Sequence, residues 1–107
     1  MIAVASGYVG ILSFDLLFPG EHSLKGKRKH LLTLKSHLQQ RAGASVAEVD
    51  HHDVWQRSTL AAALTSGSLR TLDEAVDRVE RHVLERFPES SRIERTVASF
   101  DEIGGIG

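Results

Sequence analysis

The run TLDEAVDRVERHVLERFP, Thr71 to Pro88, decides how the rest of the chain is read. Leu72, Ala75, Val76, Val79, Val83 and Phe87 recur at steps of three and four. That spacing gathers apolar side chains on one face of an α-helix. Most of the other positions are charged. Thr71 and Glu74 form a capping-box pattern, which places the helix start at Thr71. Pro88 marks the end, because proline has no amide hydrogen with which to continue. A helix with one apolar face needs a second layer to bury it, and the flanking sequence supplies strands.

Immediately upstream, residues 56–66 read as a strand. Leu60, Ala62 and Leu64 fall on one face and Thr59, Ala61, Ala63 and Thr65 on the other, with Gly67 and Ser68 breaking the run. Downstream, residues 91–101 alternate as Ile93, Val97 and Ser99 against Glu94, Thr96, Ala98 and Phe100. Near the start, residues 2–17 are rich in Val, Ile, Leu, Tyr and Phe. Tyr8, Gly10, Leu12 and Phe14 share one face, with Val9, Ile11, Ser13 and Asp15 opposite, as in a central strand. Pro19-Gly20 is a turn. Ser23 then caps a helix from Leu24 to Arg41, with the stripe Leu24, Leu31, Leu34 and Leu38 and a stop at Gly43. Ser45 to Asp50 is a short strand, and His51 to Trp55 a polar connection.

The order is β-α-β-β-α-β, an α+β pattern of the ferredoxin-like kind. It predicts a four-stranded antiparallel sheet with two helices on one face. Residues 1–103 form the single domain and 104–107 a flexible tail. The second sheet face is bare and its residues are small and mildly apolar, so a homodimer through that face is expected.

The 107 residues allow one core and not two. The absence of cysteine excludes a disulfide scaffold, a thiol nucleophile and thiolate-bound zinc. The longest charge-free stretch, Met1 to Phe14, is shorter than the roughly 20 residues a membrane span needs. No basic segment precedes it, so it does not read as a signal peptide, and a cytoplasmic protein is expected. The net charge of −1 hides a polarity. Up to Arg41 there are six basic and two acidic residues, and beyond it seven basic and twelve acidic.

Three segments carry a resemblance. They are His22-Ser23-Leu24-Lys25-Gly26-Lys27-Arg28, Ser45-Val46-Ala47-Glu48-Val49-Asp50 and Asp53-Val54-Trp55-Gln56-Arg57. In this order and spacing the chain, from about Tyr8 to Ile103, resembles the bacterial YlxP-like family, a domain of unknown function (503). Gly26 departs from the family, which usually has a charged or longer residue there. The resemblance implies a ferredoxin-like fold and no established activity. Genes of the family often lie beside those for a ribosome-binding factor and a translation initiation factor, which implies a link to translation or ribosome maturation.

Lys25, Lys27, Arg28 and Lys29 open the first helix. Cations at a helix N-terminus are mildly unfavourable, but with the free amides there they make an anion site suited to phosphate. Positions 25, 29 and 36 share an outward row, Arg28 and Lys35 lie beside it, and Lys27 is nearer the core edge. A solvated face paired with Glu21 or an acidic loop is the plainer alternative. Arg57 is placed on the open side of the sheet, binding phosphate or bridging subunits.

Glu48, Asp50, His51, His52 and Asp53 have ligand chemistry but no spacing that fixes a metal geometry. Asp50 or Asp53 is expected to accept backbone N–H bonds in the turn, or to pair with Arg57 or the basic helix. Trp55, followed by Gln56, is expected to cap the core or a dimer contact rather than stack a base. No nucleophile-and-base pattern, P-loop or dinucleotide fingerprint occurs, so neither an enzyme nor a cofactor is expected. The expected function is accessory binding of ribosomal RNA or a ribosomal subunit through Lys25, Lys27, Arg28, Lys29, Lys35 and Arg57. The alternative is a homodimeric protein–protein adaptor or regulatory module without nucleic acid.

Overall fold

A computed structural model describes residues 6–89 and 92–104. The elements are β1 (Tyr8–Leu17), α1 (Leu24–Ala42), β2 (Ser45–Asp50), β3 (Arg57–Ser66), α2 (Leu69–Arg86) and β4 (Arg92–Ser99). The sheet order is β2-β3-β1-β4 and every neighbouring pair is antiparallel. This is the ferredoxin-like arrangement that the element order predicts.

Alternation along the strands decides the layering. Leu12, Phe14 and Leu16 of β1 and Leu60, Ala62 and Leu64 of β3 are buried on the helix side. Leu31, Leu34 and Leu38 of α1 and Leu72, Val76, Val79 and Val83 of α2 close over them. Each such side chain contributes about 1.5–3 kcal/mol by leaving water. Phe18, just after β1, meets Phe87 edge-on at 5.3 Å and seals one end of the core. The opposite face carries Val9, Ile11, Ser13 and Asp15, and among the described residues no layer covers it. Ile11 is 50% exposed there.

The start of α2 differs from expectation. Ser68, not Thr71, is the N-cap, and its hydroxyl accepts the Thr71 amide at 3.2 Å. Glu74 turns outward to Arg70 instead of back toward the helix start. A serine three residues before threonine serves as a cap as well as the pattern beginning at Thr71, and only the path of the chain out of β3 chooses between them. Ser23 and Gly43 bound α1 as expected; the Gly43 φ of 66° is the left-handed conformation favoured at a helix end. Strand β1 begins at Tyr8, and the part of the first predicted strand covering residues 2–5 lies outside the described residues. Strand β4 ends at Ser99, and residues 100–104 turn. The expected tail is described only at Gly104; residues 105–107 lie outside.

Helix α2 packs tightly against β1 at Gly10. A Cβ there would lie 2.7 Å from Val76 Cγ2 and 3.5 Å from Leu72 Cδ1. Gly10→Val is therefore expected to destabilise the fold by about 1–3 kcal/mol through overpacking. Val76→Ala in the same chain should return part of the loss, read as urea midpoints of the three variants.

Candidate functional site

The basic end of α1 is built by its cap. The Ser23 hydroxyl accepts the Gly26 amide at 3.0 Å, and no acidic residue stands in the first turn. Lys25, Arg28 and Lys29 are exposed and Lys35 is half-buried. Among the described residues, none of these four forms an ion pair. Lys25, Arg28 and Lys29 line a shallow hollow with Ser23, Gly26 and Leu32, and Leu32 is 66% exposed beside the charges. The departure at Gly26 has a local occupant. The Glu21 carboxylate lies where a side chain at position 26 would begin, accepting the His22 amide at 3.1 Å and standing 3.6 Å from His30 Nε2.

Lys27 does not belong to this surface, which corrects the expected role. Its side chain is 0% exposed. The ammonium donates to the carbonyls of His51 (2.7 Å), His52 (3.2 Å) and Arg57 (3.2 Å) and lies 3.1 Å from Glu48 Oε2. Glu48 Oε2 also accepts the hydroxyl of fully buried Ser58. Burial works to raise the Glu48 pKa, but the Ser58 hydroxyl and the Lys27 ammonium outweigh it and hold it below the ordinary value. Every donor on Lys27 is committed, so it cannot grip an external phosphate. The reason is positional: residue 27 fills the gap between Leu24 and Leu31 in the buried stripe. Glu48 likewise follows Val46 on the inward face of β2. A charge of each sign at inward positions was the available signal for this pair.

Lys27 thereby ties α1 to the β2–β3 connection. That connection is tightly turned: His51 has φ 62°, a conformation that costs a non-glycine residue energy. Asp50 Oδ1 accepts the His51 amide at 2.7 Å, and the His51 carbonyl accepts the Val54 amide at 3.1 Å. Asp53 is exposed and makes no hydrogen bond among the described residues. His51 and His52 go to different partners, Thr59 Oγ1 and the Glu48 carbonyl, each at 3.1 Å. Among the described residues, no group of three or more His, Asp or Glu is placed to hold a metal.

Trp55 is 52% exposed and does not cap the core of its own chain. Gln56 extends the β1–β3 pairing, its carbonyl accepting the Phe18 amide at 2.8 Å. Arg57 lies on the uncovered sheet face, but its partner is Asp15 (Nη2 to Oδ2, 3.7 Å), not Asp50 or Asp53. Thr59 donates to the same Asp15 at 2.8 Å. The sheet separates Arg57 from the α1 row, so the expected phosphate-binding set splits into Lys25, Arg28, Lys29 and Lys35 on the helix layer, Arg57 on the other side, and Lys27 inside.

One cluster carried no signal in local periodicity. The imidazoles of His37 in α1 and His82 in α2 stack with centroids 3.5 Å apart and planes 5° from parallel. Residues so distant in sequence meet only once the helices pack.

Comparison with known proteins agrees with this architecture. A designed protein, Foldit4, superposes with a TM-score of 0.58 at 10% identity, covering 86% of this chain and 96% of its own. The crystal structure of protein SO0527 from Shewanella oneidensis superposes with a TM-score of 0.50 at 17% identity, covering 89% and 91%. These likenesses carry the fold alone. In sequence, the chain is 29% identical over 89 residues to the uncharacterized protein YlxP of Bacillus subtilis (strain 168), covering 83% of this chain and 92% of the relative. No helix among the described residues is long and apolar enough to cross a membrane. The family model described as "Protein of unknown function (DUF503)" matches residues 9–97, spanning all six elements except the first residue of β1 and the last two of β4, and the chain belongs to that family.

Proposed function

We propose that this protein is an accessory RNA- or ribosome-binding factor of the cytoplasm, linked to translation or ribosome maturation, and a binding protein rather than an enzyme. The observation that carries the reading is the exposed row Lys25, Arg28 and Lys29, with Lys35 at its side. Lys25, Arg28 and Lys29 stand at the positive end of a helix, where negative charge is favoured, yet the first turn holds no carboxylate. An RNA phosphate track is the ligand that satisfies both the side chains and the helix end. The family's gene neighbourhood points the same way.

Binding to ribosomal RNA and to isolated ribosomal subunits across a salt series tests it. With about four phosphate contacts on a single strand, affinity should fall roughly 50-fold between 50 and 200 mM salt. A folded Lys25→Glu/Arg28→Glu/Lys29→Glu variant should lose most of the low-salt binding. Folded wild type that binds neither target at low salt overturns the proposal.

The uncovered sheet face favours a second reading, a homodimeric adaptor without nucleic acid. Ile11 is half exposed there, with Ala63 and Thr96 as its register partners on β3 and β4. Light scattering behind gel filtration, with Ile11→Lys as the disrupting variant, reports whether that face joins two copies. A dimer that Ile11→Lys dissociates, together with no RNA binding, would select this reading.

A further inference from the structure

The groove between α1 and α2 holds a second concentration of positive charge, separate from the α1 N-terminus. A hollow of about 280 Å³ is lined there by His37 and Arg41 of α1 and by Arg78, Arg81, His82 and Glu85 of α2. Three guanidiniums face one carboxylate. Among the described residues, none of the three guanidinium groups forms an ion pair or donates a hydrogen bond to a protein group. Helix α2 does carry nearby carboxylates, but they are committed elsewhere: Asp77 and Glu80 hold Arg95 of β4 at 2.9 and 2.8 Å on the other flank. Arg81 and Glu85 lie between the two flanks, lining both this hollow and the one beside Asp77 and Glu80.

The stacked rings sit among these arginines. His82 Nε2 is buried and has no hydrogen-bond partner among the described residues. A buried ring nitrogen without a partner is costly. Burial first, then His37 and Arg86, lower the His82 pKa, while Glu85 acts in the opposite sense. A bound oxyanion would neutralise the guanidiniums, and its negative charge would favour the protonated form of the imidazole beside it. Guanidiniums suit phosphate because their paired N–H groups match its oxygens, and several around one hollow favour a multiply charged oxyanion over a single carboxylate.

We propose that the α1–α2 groove binds a phosphate oxyanion, with Arg41, Arg78 and Arg81 as its ligands and the His37–His82 stack as its wall. The phosphate belongs either to a small free molecule or to a nucleic-acid backbone. The site does not depend on the α1 N-terminal row, and a failure of RNA binding there leaves it standing.

The test is a titration of the full chain with inorganic pyrophosphate at low salt, followed by calorimetry and by the histidine ring resonances in NMR. Pyrophosphate should shift the His37 and His82 ring signals and move the His82 titration midpoint upward, since a nearby anion favours the charged imidazole. Arg41→Gln/Arg78→Gln, at two exposed positions, should raise the Kd at least tenfold in a protein with unchanged circular dichroism. Lys25→Glu/Lys29→Glu should leave it within about twofold. An RNA oligomer lacking terminal phosphates gives the second arm: if it displaces pyrophosphate the source is a backbone, and if it does not the source is a free phosphate, both consistent with the site. Ring signals unmoved by millimolar pyrophosphate, or undiminished binding by Arg41→Gln/Arg78→Gln, overturns the proposal.

Discussion

Lys27→Ala should lower the stability of the fold by about 3–5 kcal/mol, the cost of stranding one member of a buried ion pair. The wild-type ammonium is fully buried and serves four acceptors, Glu48 and the carbonyls of His51, His52 and Arg57. Alanine strips all four at once. Ser58 still donates to Glu48, but a hydroxyl does not compensate the carboxylate's charge. The loss should appear as a lower urea midpoint with little change in the slope of the transition. Amides of residues 52–56 should exchange faster as the β2–β3 connection loses its tether. A loss under about 1 kcal/mol would mean that Lys27 contributes no more than an exposed lysine. Lys27→Met/Glu48→Leu separates charge from tether. Removing both charges should recover much of the stability, while the carbonyls of residues 51, 52 and 57 remain without the ammonium and the connection stays loose.

Glu48→Gln addresses the other partner and should cost about 3 kcal/mol near neutral pH, the low end of the same range because Glu48 is 16% exposed. Its pH dependence has a definite sign. The folded-state pKa lies below the ordinary value of 4.5, lowered by the Ser58 and Lys27 hydrogen bonds against the opposing effect of burial. The stabilisation is therefore complete above 4.5 and disappears as pH falls through the folded value. The difference in stability between wild type and Glu48→Gln should hold steady from pH 8 to about pH 5 and narrow below that. Other carboxylates titrate in both proteins and cancel. A difference unchanged down to pH 3 would show that the ionised carboxylate is not what Lys27 requires.

Much of the fold was legible because the signals are local. Alternation in residues 8–15 and 59–65, the leucine stripe of α1 and the three-and-four spacing from Leu72 to Phe87 each specify an element through its own buried face. The cap of α2 was misplaced because two residues three apart both suit that role. The site was less legible. A basic run looks the same in sequence whether its members face water or the core, so the run alone does not separate Lys27 from Lys25, Arg28 and Lys29. Its place in the heptad-like gap of the leucine stripe was the cue that it points inward, and the cue became conclusive only with a carboxylate at the inward position of β2.

By itself the sequence determined six elements, their order and the faces they bury, since each follows from periodicity or capping within a few residues. Tertiary structure alone decided that Lys27 is a buried tether, that Arg57 pairs with Asp15 away from the helix layer, and that His37 and His82 stack among three arginines. Those outcomes depend on which inward-facing groups meet across the layers, and in a buried setting the presence or absence of a partner determines whether a charge or a ring nitrogen stabilises the fold or opposes it.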